Sequence, residues 1–178
     1  YISHLECSLC SKIYPHEIPN RLCEADGKPL LARYDLDVVS ETMNPGSLND
    51  RISSMWRYRE IMPVLRQENI FSLGEGFTPL LKSDRLGHER GMSQLFVKDE
   101  SLNPTGSFKD RQVSLAISKA QEWGRSRFGT ASSGNVGVAL SAYAAKAGCQ
   151  AYVWVPSSTA EAKRLQIQVY GARLFLTP

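Results

Sequence analysis

The chain has 178 residues, 42% of them hydrophobic and 22% charged, with a formal net charge of +3. That length suits one well-buried domain or one domain with a small appendage. The mild excess of base, spread without a run of like charges, argues against nucleic acid or a membrane surface as partner and leaves small anionic ligands open. No segment has the apolar length of a transmembrane helix, and Tyr1-Ile2-Ser3-His4-Leu5-Glu6 shows no basic stretch followed by an apolar one, so a cytoplasmic protein is expected. The sequence opens on Tyr1 and closes on Leu176-Thr177-Pro178 directly after an apparent strand, which reads as a portion of a longer chain.

Residues 1–35 form a cysteine knuckle. Cys7-x-x-Cys10 is followed by Cys23, and Asp26 stands where a C-x2-C…C-x2-C zinc ribbon has its fourth cysteine. Cys7, Cys10 and Cys23 are candidate zinc ligands, with Asp26, His16 or His4 as the fourth; the alternative is a former metal knuckle held by packing alone. Lys28-Pro29-Leu30-Leu31-Ala32-Arg33-Tyr34 has a hairpin-like pattern. Residues 36–94 read as a connector and the N-terminal part of the next domain. Within them 35–50 is a linker turning at Asn44-Pro45-Gly46, 52–61 a helix stopped by Pro63, and 68–79 a loop tightest at Gly74-Glu75-Gly76.

From residue 95 to 178 strands and helices alternate. Leu95-Phe96-Val97 is a short strand, and the helix over 107–123 carries Val113, Ala116, Ile117 and Ala120 at i, i+3, i+4, i+7 spacing. A strand is expected over 128–131, a helix over 135–147 ended by Gly148, and a continuous apolar strand, buried on both faces, over 151–155. A helix over 159–170 and a strand over 173–176 follow, and Cys149 reads as a buried small hydrophobe. Strands and helices joined this closely imply parallel strands and an α/β fold.

Two segments carry chemistry. In Asn103-Pro104-Thr105-Gly106-Ser107-Phe108-Lys109-Asp110-Arg111 a breaker-rich turn meets a helix start, Ser107 is a good N-cap, and Asp110 completes an S-x-x-D capping box. Lys109 then lies in the first helical turn, where the helix dipole disfavours a cation and so promotes the free amine a nucleophilic lysine needs. The alternative is a solvated Lys-Asp-Arg run. The second segment, Ala131-Ser132-Ser133-Gly134-Asn135, joins a strand to a helix at the strand's carboxyl end, where open α/β sheets bind ligands. Its hydroxyls, glycine and unpaired helix amides suit a carboxylate or phosphate, or else Ser133 is simply an N-cap. Since each segment follows a strand and starts a helix, a single parallel sheet would set both on one edge, which suits an amino acid held as an imine.

Residues 103–111 resemble the pyridoxal-phosphate lysine motif of the threonine synthase group, within the tryptophan-synthase-β-like (fold type II) enzymes. Ser72-Leu73-Gly74-Glu75-Gly76-Phe77-Thr78-Pro79-Leu80 is similar to that group's G-E-G-x-T-P-L segment, Ser54-Met55-Trp56-Arg57-Tyr58-Arg59 to its W-R-Y element, and Tyr170-Gly171-Ala172 to its Y-G-A. The resemblance implies a parallel-sheet, three-layer cofactor half-domain with a small N-terminal knuckle. It implies pyridoxal 5'-phosphate as cofactor, with Lys109 its Schiff-base lysine and proton carrier, Asn135 bonded to the ring hydroxyl, and Ser132, Ser133 and Gly134 holding the substrate carboxylate. Thr78, Lys163 and Arg164 are candidates for the product phosphate, with a solvated helix face the favoured reading for the last two. Phe108 is expected to pack beneath the site, and Asp110 and Arg111 to orient the helix start. A glycine-rich phosphate loop and a Ser or Thr against the pyridine nitrogen are expected beyond residue 178. The implied activity is a lyase making threonine from O-phospho-L-homoserine, in a homodimer at full length. Cysteate synthase, a threonine dehydratase-like lyase and a non-catalytic fragment remain open.

Overall fold

In the computed structural model, which describes residues 1–132 and 134–178, the cysteine region is a ribbon of three antiparallel strands. β1 (Ile2–Cys7) pairs on one side with β2 (Ile13–Tyr14) and on the other with β3 (Leu30–Tyr34). The N-terminal strand is thus the centre of the sheet, and the hairpin-like segment 28–34 pairs with it through His4↔Arg33, Leu5↔Ala32 and Glu6↔Leu31.

The expected linker over 35–50 contains a short helix, α1 (Leu36–Thr42). Asp35 caps it by accepting the Val38 N–H at 3.1 Å, a side-chain cap that an aspartate at this position supplies readily. The expected helix over 52–61 is instead a 3-10 segment, Met55–Ile61, broken at Tyr58. Its Glu60, only 2% exposed, takes Arg51 at 2.7 Å, and the same guanidinium reaches the Arg57 carbonyl at 2.6 Å; these side-chain bonds to backbone favour tight turns over a regular helix.

Next come β4 (Leu80–Lys82), α2 (Asp84–Glu89) and β5 (Phe96–Lys98). β5 pairs antiparallel with β4 and does not join the parallel sheet, contrary to the reading that placed a strand of that sheet before Lys109. α3 (Lys109–Glu122) follows. The parallel sheet is β6 (Arg127–Ala131), β7 (Gln150–Pro156) and β8 (Arg173–Thr177), with α4 (Asn135–Lys146) and α5 (Glu161–Val169) as its crossovers. Mixed α/β architecture with a parallel sheet is therefore the fold, as expected.

β7 is buried on one face only. Ala151, Val153 and Val155 enter the core with Val113 and Ile117 of α3, residues 138–144 of α4 and Ile167 of α5. The other face carries Trp154, 40% exposed and stacked on Phe175 at 5.1 Å, so the apolar run over 151–155 reads as two different faces. Gly137 explains how closely α4 meets the sheet: a Cβ there would stand 2.8 Å from Val153 Cγ1, so only glycine fits. Cys149 packs partly buried against the same core.

The chain groups into two compact units. One comprises Tyr1–Ile52, Trp56–Ile70 and Ser118–Arg125; the other comprises Ser53–Met55, Phe71–Ile117 and Ser126–Pro178, and holds both candidate chemical segments. No helix among the described residues is long and apolar enough to cross a membrane.

Candidate active site

The turn that carries Lys109 is built by three buried side chains. Asn103 accepts the Gly76 N–H at 2.9 Å and donates to the Glu100 carbonyl and carboxylate, each at 2.9 Å. Thr105 gives both its N–H, at 2.7 Å, and its hydroxyl to Asp110, which is completely buried. This corrects the expected capping box. Asp110 reaches past Ser107 to Thr105, while the Ser107 hydroxyl accepts the Lys109 N–H at 3.3 Å. Burial pushes the Asp110 carboxyl above its usual range, and the two Thr105 bonds oppose that rise.

Arg111, one residue further on, grips Glu100 with two 2.7 Å bonds, and Thr78 donates to the same carboxylate at 2.7 Å. The Arg111 guanidinium holds the Glu100 carboxyl down to about 2. Thr78, expected to face the product phosphate, therefore spends its hydroxyl on this pair. Asp110 and Arg111 do hold the helix start, as anticipated.

Against this framework Lys109 is the first residue of α3 and half-buried. Its Nζ lies 4.2 Å from the centre of the Phe108 ring, and it has no hydrogen-bonding or acidic partner among the described residues. Phe108 is 55% exposed, so it does not pack beneath the site; fixing Asn103, Thr105, Ser107 and Asp110 inside turns Phe108 outward.

The second segment follows β6. The Ser132 N–H extends the β6–β7 ladder to the Trp154 carbonyl at 3.0 Å, and its hydroxyl accepts the Gly134 N–H at 3.4 Å. Ser133 lies outside the described residues. Gly134 precedes α4 with open space where a Cβ would stand, and Asn135 is exposed at the helix's first position. Lys163 and Arg164 are half-buried on α5, without an ion pair among the described residues.

Because β5 lies outside the parallel sheet, no shared sheet edge relates the two segments among the described residues. What ties their helices is a residue the sequence reading treated only as part of a motif. Glu75, 0% exposed, accepts from Ser114 of α3 at 2.5 Å and from Tyr143 of α4 at 2.7 Å, as well as from Ser72 at 3.1 Å and the Leu73 N–H at 2.9 Å. Burial first, then the bond to Glu75, pushes the Tyr143 hydroxyl well above its ordinary range. Gly76 is required beside it: φ is +94°, and a Cβ would lie 2.6 Å from the Met55 nitrogen. One signal for this clamp was legible, since Asp110, Ser114 and Ser118 form a polar stripe at helical spacing beside Val113 and Ile117, and all three are buried.

The residues fit a pyridoxal-phosphate site. An amine without a competing acid stands on a rigid turn, and an exposed amide opens a helix beside a glycine with space around it. A family model described as pyridoxal-phosphate dependent enzyme matches residues 71–178. The chain belongs to that family. It is 37% identical over 169 residues to a threonine synthase of Methanocaldococcus jannaschii, covering 94% of this chain and 42% of that protein. It is 36% identical over 172 residues to a threonine synthase of Methanosarcina acetivorans, covering 96% and 42%. The chain thus spans 42% of the length of each of these relatives. Among solved structures it resembles an O-ureido-L-serine synthase, with TM-score 0.52 and 32% identity over 57% of this chain and 33% of that one.

Proposed function

We propose that this enzyme, at full length, is a threonine synthase converting O-phospho-L-homoserine and water into L-threonine and phosphate. The observation that carries the reading is Lys109, an amine with no acidic partner among the described residues, set on a turn locked by Asn103, Thr105 and Asp110. The two threonine synthases at 36–37% identity supply the substrate. Lys109 would carry the cofactor, and the Asn135 amide would hold its ring hydroxyl. When bound, pyridoxal phosphate supplies an electron sink that makes the substrate's Cα–H acidic.

The chain's own residues then have definite work. Lys109 Nζ takes and returns protons at the substrate's Cα and Cβ, and its rigid turn keeps one amine within reach of both carbons. Ser132, Ser133 and the amides that open α4 at Gly134 hold the substrate carboxylate, because the first amides of a helix lack intrahelical acceptors. Thr78 belongs to the support of the turn through Glu100.

The same reading makes the protein cytoplasmic and homodimeric. The test uses the full-length protein with pyridoxal phosphate. A visible band that disappears in Lys109→Ala, with phosphate and threonine formed from O-phosphohomoserine, supports the proposal. A lysine-dependent band with sulfite incorporated in place of water would replace it with cysteate synthase. The absence of any lysine-dependent band would sink the enzymatic reading.

A further inference from the structure

The cysteine ribbon contains two loops that are copies of one another. In the first, the Cys7 N–H donates to the Lys12 carbonyl at 2.9 Å and the Ser11 N–H returns to the Cys7 carbonyl at 3.2 Å, with Ser11 at φ +59°. In the second, the Cys23 N–H donates to the Lys28 carbonyl at 2.8 Å and the Gly27 N–H returns to the Cys23 carbonyl at 2.8 Å, with Gly27 at φ +69°. Cys10 precedes the left-handed residue of one loop and Asp26 that of the other. Asp26 therefore occupies the place in its loop that Cys10 occupies in the first.

The four side chains converge. Their donor atoms all lie within 4.8 Å of one another. Cys10 Sγ and Cys23 Sγ are 3.6 Å apart and unbonded, and Cys7 Sγ lies 3.3 Å from Asp26 Oδ2. A disulfide would need about 2.05 Å. A tetrahedral zinc with sulfur at about 2.3 Å and oxygen at about 2.0–2.2 Å sets sulfur–sulfur edges near 3.8 Å and sulfur–oxygen edges near 3.5 Å. The Cys10–Cys23 and Cys7–Asp26 spacings match those edges, and all four donor atoms fall within 4.8 Å of one another.

The surroundings complete such a centre. Cys7 Sγ receives the Leu9 and Cys10 amides at 3.4 and 3.5 Å, and Cys23 Sγ receives the Tyr14 hydroxyl at 3.2 Å. Asp26 Oδ1 accepts the Lys28 N–H at 3.0 Å, which fixes the carboxylate with both oxygens 3.3–3.4 Å from Cys7 Sγ. His4 and His16 stand outside this cluster, beside Glu6 and Glu17 respectively. Packing alone is a weak alternative: the buried core here is Cys7, Tyr14 and Cys23, while Leu9, Ile13 and Leu22 are 66%, 64% and 54% exposed. A ribbon of this size ordinarily requires a metal or disulfides to hold it.

We propose that Cys7, Cys10, Cys23 and Asp26 form a closed, structural zinc site of three thiolates and one carboxylate. Four protein ligands leave no open position, so the metal holds the ribbon and takes no part in the reaction.

Metal analysis of protein purified without chelator should find about one zinc per chain, falling below about 0.1 in Cys10→Ser/Cys23→Ser. Zinc below that level in the unmodified protein, or unchanged in the double variant, overturns the site. The double variant may be replaced, should it fail to fold, by cobalt reconstitution of the unmodified protein and of Asp26→Cys. Tetrahedral d–d bands with thiolate charge transfer are expected, and that charge transfer should grow by about a third in Asp26→Cys as three thiolates become four. Identical cobalt spectra for the two proteins would remove Asp26 from the ligand set.

Discussion

The turn around Lys109 and the ribbon around Cys7 are both short loops ordered by buried polar side chains, but their polar atoms are satisfied differently. In the turn, Asn103, Thr105 and Asp110 meet one another and their neighbours, and Glu75 beneath the helices gathers four donors. In the ribbon, three sulfurs and a carboxylate lie within 4.8 Å of one another, with Cys7–Asp26 and Cys10–Cys23 contacts at 3.3 and 3.6 Å, and the buried apolar cluster there is Cys7 and Cys23 themselves with Tyr14. Acidic groups that find enough donors within the chain build a scaffold; thiols and an acid that find mainly each other assemble a centre for an ion. Lys109 stands on the first kind of support, which is what the proposed proton carrier needs in order to keep one position.

If the chain itself completes the scaffold, removing its central acceptor should cause the largest loss. Glu75→Ala removes the acceptor of the Tyr143 hydroxyl and the Leu73 N–H, leaves Ser114 its bond to the Phe71 carbonyl, and opens a cavity; it should cost about 3–5 kcal/mol. Tyr143→Phe removes only one bond and should cost about 1 kcal/mol, with the double variant showing coupling because the two groups share that bond. Urea midpoints at constant m-value measure this. Equal midpoints for Glu75→Ala and the unmodified protein would break the comparison.

Asp110→Ala comes next. It leaves the Thr105 N–H and hydroxyl without their acceptor in a buried turn, at about 2 kcal/mol. Gly137→Ala should be smaller, about 1–2 kcal/mol, because a Cβ 2.8 Å from Val153 Cγ1 must push α4 off the sheet. A stabilised Gly137→Ala protein would mean that the helix yields freely there.

Much of this arrangement is legible in the sequence, and the illegible parts share a cause. The helices over α3, α4 and α5 and the strands of the parallel sheet follow from periodicity, and the turn at Lys109 from its breakers. The partner of β5 and the central place of β1 did not follow, because strand pairing is set by contacts distant in sequence. The apolar run over β7 looked buried on both faces because Trp154 is as hydrophobic as its buried neighbours. At the site, Lys109 and the loop before α4 were readable as types in context. Glu75 was not, since its importance lies in Ser114 and Tyr143, 39 and 68 residues away.

The smallest predicted effect concerns pH. Glu100 titrates at about 2 in the folded protein against 4.5 ordinarily, because Arg111 binds its charged form. Its contribution is therefore complete above about 4.5 and is lost as pH falls toward 2, when the folded state must take up a proton it binds poorly. Asp110 works in the opposite sense: its raised value lets the folded state bind a proton first, so its contribution grows as pH falls from neutrality through that value. Glu100→Gln should consequently be less stable than the unmodified protein at pH 7, by no more than about 1 kcal/mol for a partly exposed pair, and the gap should close between about pH 4.5 and 2. Urea midpoints across that range decide it. Two curves that stay parallel would show that the Arg111 pair, unlike the Glu75 clamp, contributes nothing to holding the lysine turn.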